Sequence, residues 1–386
     1  MERTLAFLMF VVFFKPFSAL AYVFTLIFTG LFCVPRVKKR ITSLDVVIIA
    51  ISVIGSCISA FNVSHVFLTS GILAAIFYIS FYWMVIFVTL FDVDYEEIIK
   101  RFYRLILTFG IPLITLAAIL LGPAGDTFNG YSTIPKLIGI DLNRVLFPFT
   151  GGVNHFGILL GFCLVVTSAL KLNYSQVLVW WISVFVLFTF IDSRGALLAL
   201  TAALVFSKWK FITPYVWVFV PMVIVALGMF LISYGDIYFS RENSTLFSQR
   251  EYFWALGISG LSLMSWDNLL IGYGLNGFMS NSIASIVSEF FAYRNSIGSL
   301  HNAHLTVLYD YGILGLVLVI VLNLKIIASL KYLSEERRSL SLKCLIFLSV
   351  SSATETVYSF NYILILLTFM FITQLRKESS YSERLN

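Results

Sequence analysis

Residues 177–207 read VLVWWISVFVLFTFIDSRGALLALTAALVFS, two apolar runs joined by Asp192, Ser193, Arg194 and Gly195. Neither run has the polar stripe, recurring every three or four residues, that a helix on the surface of a soluble domain needs. Both are apolar all round, so they are read as helices in lipid or among other such helices. The connection between them is too short to leave the membrane boundary. Arg194 is therefore held there, facing the bundle or the lipid headgroups.

The rest of the chain repeats this pattern. Hydrophobic residues make up 59% of the 386 positions, charged residues 12%, and there are 38 phenylalanines. Mean hydropathy is +0.93. Such a composition cannot clothe a water-soluble domain, and barrel-type alternation is absent. An all-α, polytopic membrane protein is expected, a single transmembrane domain over 1–386. Spans fall near 4–15, 17–34, 44–61, 66–91, 104–121, 154–171, 177–191, 195–207, 214–232, 305–330, 343–359 and 361–375, about twelve helices. Lys15 and Pro16 cut the opening run, so eleven is the other count.

In this layout most basic residues gather on one side: Arg36, Lys38, Lys39, Arg40, Lys100, Arg101, Arg104, Lys208, Lys210, Arg337, Arg338, Lys343, Arg376 and Lys377 among them. Lys15, Lys136, Arg144, Arg194, Arg241, Arg250 and Arg294 fall on the other. The positive-inside rule then places both termini in the cytoplasm and the polar segment 234–304 outside, as one large loop with short interfacial helices. The net charge of +6 follows from this bias and calls for no nucleic-acid partner. No cleaved signal peptide is expected, since the first apolar run continues into another. Cys33, Cys57, Cys163 and Cys344 lie in or at the ends of spans without C-x-x-C spacing, so neither a disulfide nor a zinc site is expected. Phosphate-loop, paired metal-carboxylate and G-x-S-x-G patterns are missing too, which counts against nucleotide hydrolysis and metal-dependent transfer.

Chemistry-bearing residues cluster on the outer side. All four histidines, His65, His155, His301 and His304, fall at outer helix ends or outer loops. His301 opens the pattern H-N-A-H-L directly before a span. Ser248-Gln249-Arg250-Glu251 has capping-box spacing, which predicts a helix from Ser248 with Arg250 in its first turn, where free backbone N–H groups, the helix dipole and a forked guanidinium favour an anion. A second amphipathic stretch, Met279 to Phe291, is expected to lie along the membrane surface. Glu355 falls near the outer end of a predicted span, where it can pair with an arginine or orient His301. Arg144, Arg241, Arg294 and His304 can line the same chamber or be solvated loop residues, while Asp192 and Asp310 are expected to partner nearby cations. Each anchor also has a plain structural reading: Arg194 and Arg250 on lipid phosphate, Gly195 as a helix-packing residue, and the other histidines as interfacial hydrogen bonders.

Together, Ser193-Arg194-Gly195 opening a span, Arg250 with Trp254, the Gly272-Tyr273-Gly274 turn, and His301-Asn302-x-x-Leu305 before Gly312 and Gly315 resemble the O-antigen ligase and O-antigen polymerase superfamily. The likeness covers roughly 140–330. Asn154 and Gly157 after Gly151-Gly152 are similar to that family's segment at the start of a span, although Val153 stands where a proline often precedes the asparagine. The resemblance implies a C-type glycosyltransferase bundle on the outer face of the bacterial inner membrane, without a metal or other cofactor, using a glycan on undecaprenyl diphosphate as donor. It further implies that Arg194 and Arg250 bind the diphosphate and that His301 deprotonates the acceptor hydroxyl, with Asn302, Glu355, Arg144, Arg241, His304 and Asn154 in support.

That assignment is physically reasonable. A sugar diphosphate carries a good leaving group, so the enzyme must chiefly neutralise growing phosphate charge and hold a hydroxyl in line. Two arginines and an imidazole suffice for this. Polymerase and ligase share the chemistry and differ in acceptor, the next lipid-linked repeat or the lipid A core; the resemblance favours polymerase. A flippase or other transporter is the rival class, against which stand polar residues at the outer boundary rather than the midplane and no visible internal repeat. Expected partners are undecaprenyl-diphosphate-linked oligosaccharides, membrane lipids and a chain-length regulator protein.

Overall fold

The computed structural model describes residues 95–121, 145–148, 153–167, 173–208, 214–235, 250–273, 277–280 and 300–355, with isolated positions 6, 7, 10, 46, 49, 50, 53 and 139. Every regular element among them is helical. The expected spans at 4–15, 17–34, 44–61, 66–91 and 361–375 lie outside the described residues but for those isolated positions. Among the described residues, three helices are long and apolar enough to cross a membrane, Lys100–Leu121, Tyr174–Ile191 and Ala303–Ala328. Phe156–Val166, Arg194–Phe206 and Val216–Phe230 are shorter apolar pieces.

The first of these three begins in a charged helix, α1 (Tyr95–Leu105), where Glu97 and Arg101 pair at 2.5 Å one turn apart. It passes through a π-turn, Ile106–Gly110, into the apolar α2 (Ile111–Leu121). Ile98, Phe102 and Ile106 face the core, while Ile119, Leu120 and Leu121 are exposed, as suits side chains whose solvent is lipid. Helix α3 (Val153–Val166) follows, then the hairpin of α4 (Tyr174–Ile191) and α5 (Arg194–Phe206). Asn173 and Gln176 close a capping box at the start of α4. Asp192 ends it in the left-handed region at φ 51°. Ala196, Ala199, Ala202 and Ala203 are buried on α5, and these small side chains let it pack closely on α3 and on the last described helix.

Helix α6 (Val216–Gly235) packs against α7 (Arg250–Leu261), which is followed by the short α8 (Trp266–Ile271) and α9 (Gly277–Ser280). The capping residue expected at Ser248 and most of the amphipathic stretch to Phe291 lie outside the described residues. Helix α10 (Ala303–Ser329) is kinked at Gly312, which has φ 64° and ψ −166°. The kink is where α8 docks: a Cβ on Gly312 would collide with the backbone of Leu270 and Ile271. Tyr273 N donates to Tyr309 O at 2.8 Å and Gly277 N to Asp310 Oδ1 at 2.8 Å, so the Gly272 turn is stitched onto the bend. Asp310, expected as the partner of a cation, is thus engaged by backbone.

The last described helix, α11 (Glu335–Thr354), starts eight residues before the expected span at 343 and stops before 359. Its charged opening turns extend the helix beyond the apolar run, which begins after Lys343. At the other end Glu355 leaves helical geometry, with φ −145° and ψ 161°. Glu355 therefore caps a helix rather than sitting within one. Phe162 joins Tyr103 and Phe347 through ring contacts at 5.8 and 5.7 Å, tying α1, α3 and α11 into one core. Cys163 and Cys344 are buried free thiols in it.

Candidate active site where four helix ends meet

Four helix ends converge: the starts of α5, α7 and α10 and the end of α11. Asn302 is the fastener. It is fully buried, and its Oδ1 accepts from the backbone N–H of His304 and Leu305 at 3.0 Å each, capping α10. Its Nδ2 donates to Pro221 O at 3.2 Å and Ala353 O at 3.1 Å. One side-chain amide thereby holds α6 and α11 against the start of α10.

The residues on either side of that fastener carry the polar cluster. Glu355, two residues beyond Ala353, has its side chain only 5% exposed. Its Oε1 lies 2.5 Å from Arg250 Nη2 and its Oε2 lies 3.4 Å from His301 Nδ1. Arg250 is the first residue of α7, and Phe253, one turn on, sets its ring edge-on to His301 with centroids 5.8 Å apart. His301 has φ 49°, one of two positive-φ residues other than glycine among those described. The other is Asp192, two residues before Arg194. Left-handed backbone at such residues costs on the order of 1–3 kcal/mol and gathers at functional sites. Here it occurs in the two connections that present His301 and Arg194.

Arg194 opens α5, with its side chain half exposed and its Nε 3.8 Å from Asp192 Oδ2. The next residue explains how α5 reaches the cluster. A Cβ at Gly195 would come within 2.7 Å of Thr354 Oγ1 and 3.7 Å of Arg250 Nη1, so only glycine permits this approach. The N-cap, Ser193, makes no side-chain cap bond to the first turn of α5. On its other side Ser193 is packed directly against Gly157 of α3. Asn154 is half-buried one turn earlier on α3.

Other candidates are placed differently. His304 is buried in the first turn of α10. Arg144, Arg241 and Arg294 lie outside the described residues. Phe253 and Thr354 were not singled out by the sequence; the Arg250-to-Phe253 spacing carries a signal for the first, whereas Thr354 meets Gly195 across 159 positions of chain, with no local signal. Among the described residues no group of three or more histidine, cysteine, aspartate or glutamate side chains is arranged to hold a metal ion.

The chemistry of the cluster follows from its donors. A carboxylate only accepts, so the His301 Nδ1 that faces Glu355 is a donor, and in the neutral imidazole of that tautomer Nε2 is the acceptor. Arg250 keeps Glu355 on one arm of its fork and turns the other, Nη1, toward the start of α5. The result is a basic nitrogen and a cationic fork joined through one buried carboxylate.

An integral membrane protein, all-helical where described, with an arginine, a glutamate and a histidine joined at converging helix ends is the class this defines. Residues 177–320 match the family model described as O-antigen ligase, consistent with the O-antigen polymerase and ligase superfamily. The matched segment encloses Arg194, Arg250, His301 and Asn302 and stops short of Glu355. No curated protein matches the chain. The match makes this segment similar to the O-antigen polymerase and ligase enzymes and lends nothing to a flippase.

Proposed function

We propose that the chain is a polymerase that joins undecaprenyl-diphosphate-linked oligosaccharide repeats on the outer face of the inner membrane. The observation that carries this reading is the shared carboxylate, Glu355, between Arg250 and His301. The donor's diphosphate lies between the half-exposed Arg194 and Nη1 of Arg250, at the uncapped first turn of α5, whose backbone N–H groups favour an anion. The acceptor hydroxyl lies against His301 Nε2. As its oxygen attacks the anomeric carbon, the bond from that carbon to the phosphate oxygen breaks, and its electron pair leaves with undecaprenyl diphosphate. The acceptor proton passes to Nε2, Glu355 steadies the imidazolium that forms, and the anomeric configuration inverts.

The same reading takes the protein as a bundle of about twelve spans with cytoplasmic termini and the cluster outside, from the distribution of lysine and arginine. Asn302 positions the helix ends, and Asn154, Arg144, Arg241 and His304 are supporting residues. A chain-length regulator is its protein partner. Ligation to lipid A core is the second reading, since the matched family is described as O-antigen ligase and is shared by both activities.

Product analysis separates them. Purified protein in nanodiscs, given the host's lipid-linked repeats and lipid A core, is expected to form a ladder of glycans on undecaprenyl diphosphate with inverted linkages. Glycan on lipid A alone would make it a ligase. Translocation without a new bond would remove glycosyl transfer altogether.

A further inference from the structure

Polar atoms without a described partner bracket the Arg250–Glu355 pair. Ser351 and Ser352, both fully buried and one turn before Glu355, have hydroxyls that no described group meets. Next to Arg250, Glu251 is 6% exposed, and no donor among the described residues reaches its Oε2. The first turn of a helix explains why a carboxylate is favoured at 251. It does not explain why the carboxylate is buried, since one facing water would gain as much from the dipole and lose no hydration.

Geometry sets Glu251 on the face of α7 that adjoins the one carrying Arg250 and Phe253. Its Cβ lies 3.6 Å from where a Cβ on Gly228 would stand, and Trp254, one turn on, packs against the same glycine. That face of α7 is directed to α6. Arg250 and Phe253 occupy the adjoining face, toward Glu355 and His301. A carboxylate can only accept, so its buried oxygen calls for a donor. A diphosphate has none to offer and would be repelled. A sugar has several.

We propose that Glu251 is a glycan-binding residue whose carboxylate accepts hydrogen bonds from sugar hydroxyls of the substrate held beside Arg250. The inference rests on the glycosyl-transfer reading and adds a specificity residue to it. Hydrogen bonds from neutral hydroxyls to a charged acceptor discriminate strongly, because an analogue lacking the hydroxyl leaves the carboxylate buried and unmet. An ion pair with a cation elsewhere in the chain is the competing use of such a carboxylate.

Two inhibitors distinguish these uses in the full-length protein in nanodiscs: the repeat glycan freed from its lipid by mild acid, and inorganic pyrophosphate. Glu251→Gln preserves size while weakening acceptance, so it is expected to raise the half-inhibitory concentration of the free glycan by roughly tenfold or more. Inhibition by pyrophosphate and the thermal transition should stay as in the unsubstituted protein. Equal inhibition by the glycan in both proteins overturns the inference, and so does loss of the thermal transition in Glu251→Gln, which marks a structural ion pair. Turnover by the unsubstituted protein in either case leaves glycosyl transfer standing; its absence removes that reading and this inference together.

Discussion

Glu355 does two jobs that sequence leaves as alternatives. It pairs with Arg250 and with His301 at once, because α11 ends at Thr354 and turns the carboxylate into the space between α7 and α10. Removing one partner of a nearly buried pair leaves the other uncompensated, typically at about 3–5 kcal/mol. Glu355→Gln keeps the shape but not the charge, and is expected to lower kcat within the roughly 10²–10⁴-fold that a positioned base supplies. Steady-state kinetics on the purified variant check this, and an unchanged kcat would detach Glu355 from His301. Arg250→Lys keeps a charge but loses the fork that spans Glu355 and the start of α5. Its expected signature is a larger loss of pyrophosphate inhibition than of folding, measured by inhibition and thermal unfolding together. His301 and Arg250 are legible as candidates from H-N-A-H-L and from the capping spacing, and Glu355 as a carboxylate for one or the other; that it meets both is not, because Glu355 lies 105 positions from Arg250.

At the scale of elements, boundaries are legible where chemistry punctuates the chain. The expected runs 177–191 and 195–207 correspond to α4 and α5 within a few residues, since Asp192 and Gly195 interrupt the apolar pattern unmistakably. Less legible are features set by packing. The bend in α10 falls at Gly312, one of several glycines in an apolar run, and it is the arrival of α8 that selects it. The early start of α11 is hidden because Glu335, Glu336, Arg337 and Arg338 suit a solvated helix as well as a loop. Gly312→Ala should show which force holds the bend. A Cβ there meets the backbone of Leu270 and Ile271 and must adopt a positive φ, so the thermal midpoint is expected to fall, by an energy of about 1–3 kcal/mol or more. A midpoint equal to that of the unsubstituted protein would mean that α8 does not dock on the bend.

For the molecule as a whole, composition alone makes the membrane assignment, and helical architecture follows because lipid offers no partner for an open backbone. The site is assembled from segments scattered between 154 and 355, and no local pattern brings them together. Asn302 physically joins α6, α10 and α11 through one buried amide. The central claim is that this junction transfers glycans by expelling a lipid diphosphate. Its most direct measurement is a time course on purified protein in nanodiscs, without nucleotide or ion gradient, that counts new glycosidic bonds and released undecaprenyl diphosphate in the same samples. The expected result is one diphosphate released per bond formed, with both lost in His301→Ala while that variant remains folded. Bond formation undiminished in His301→Ala, or diphosphate release without bonds in the unsubstituted protein, would contradict it.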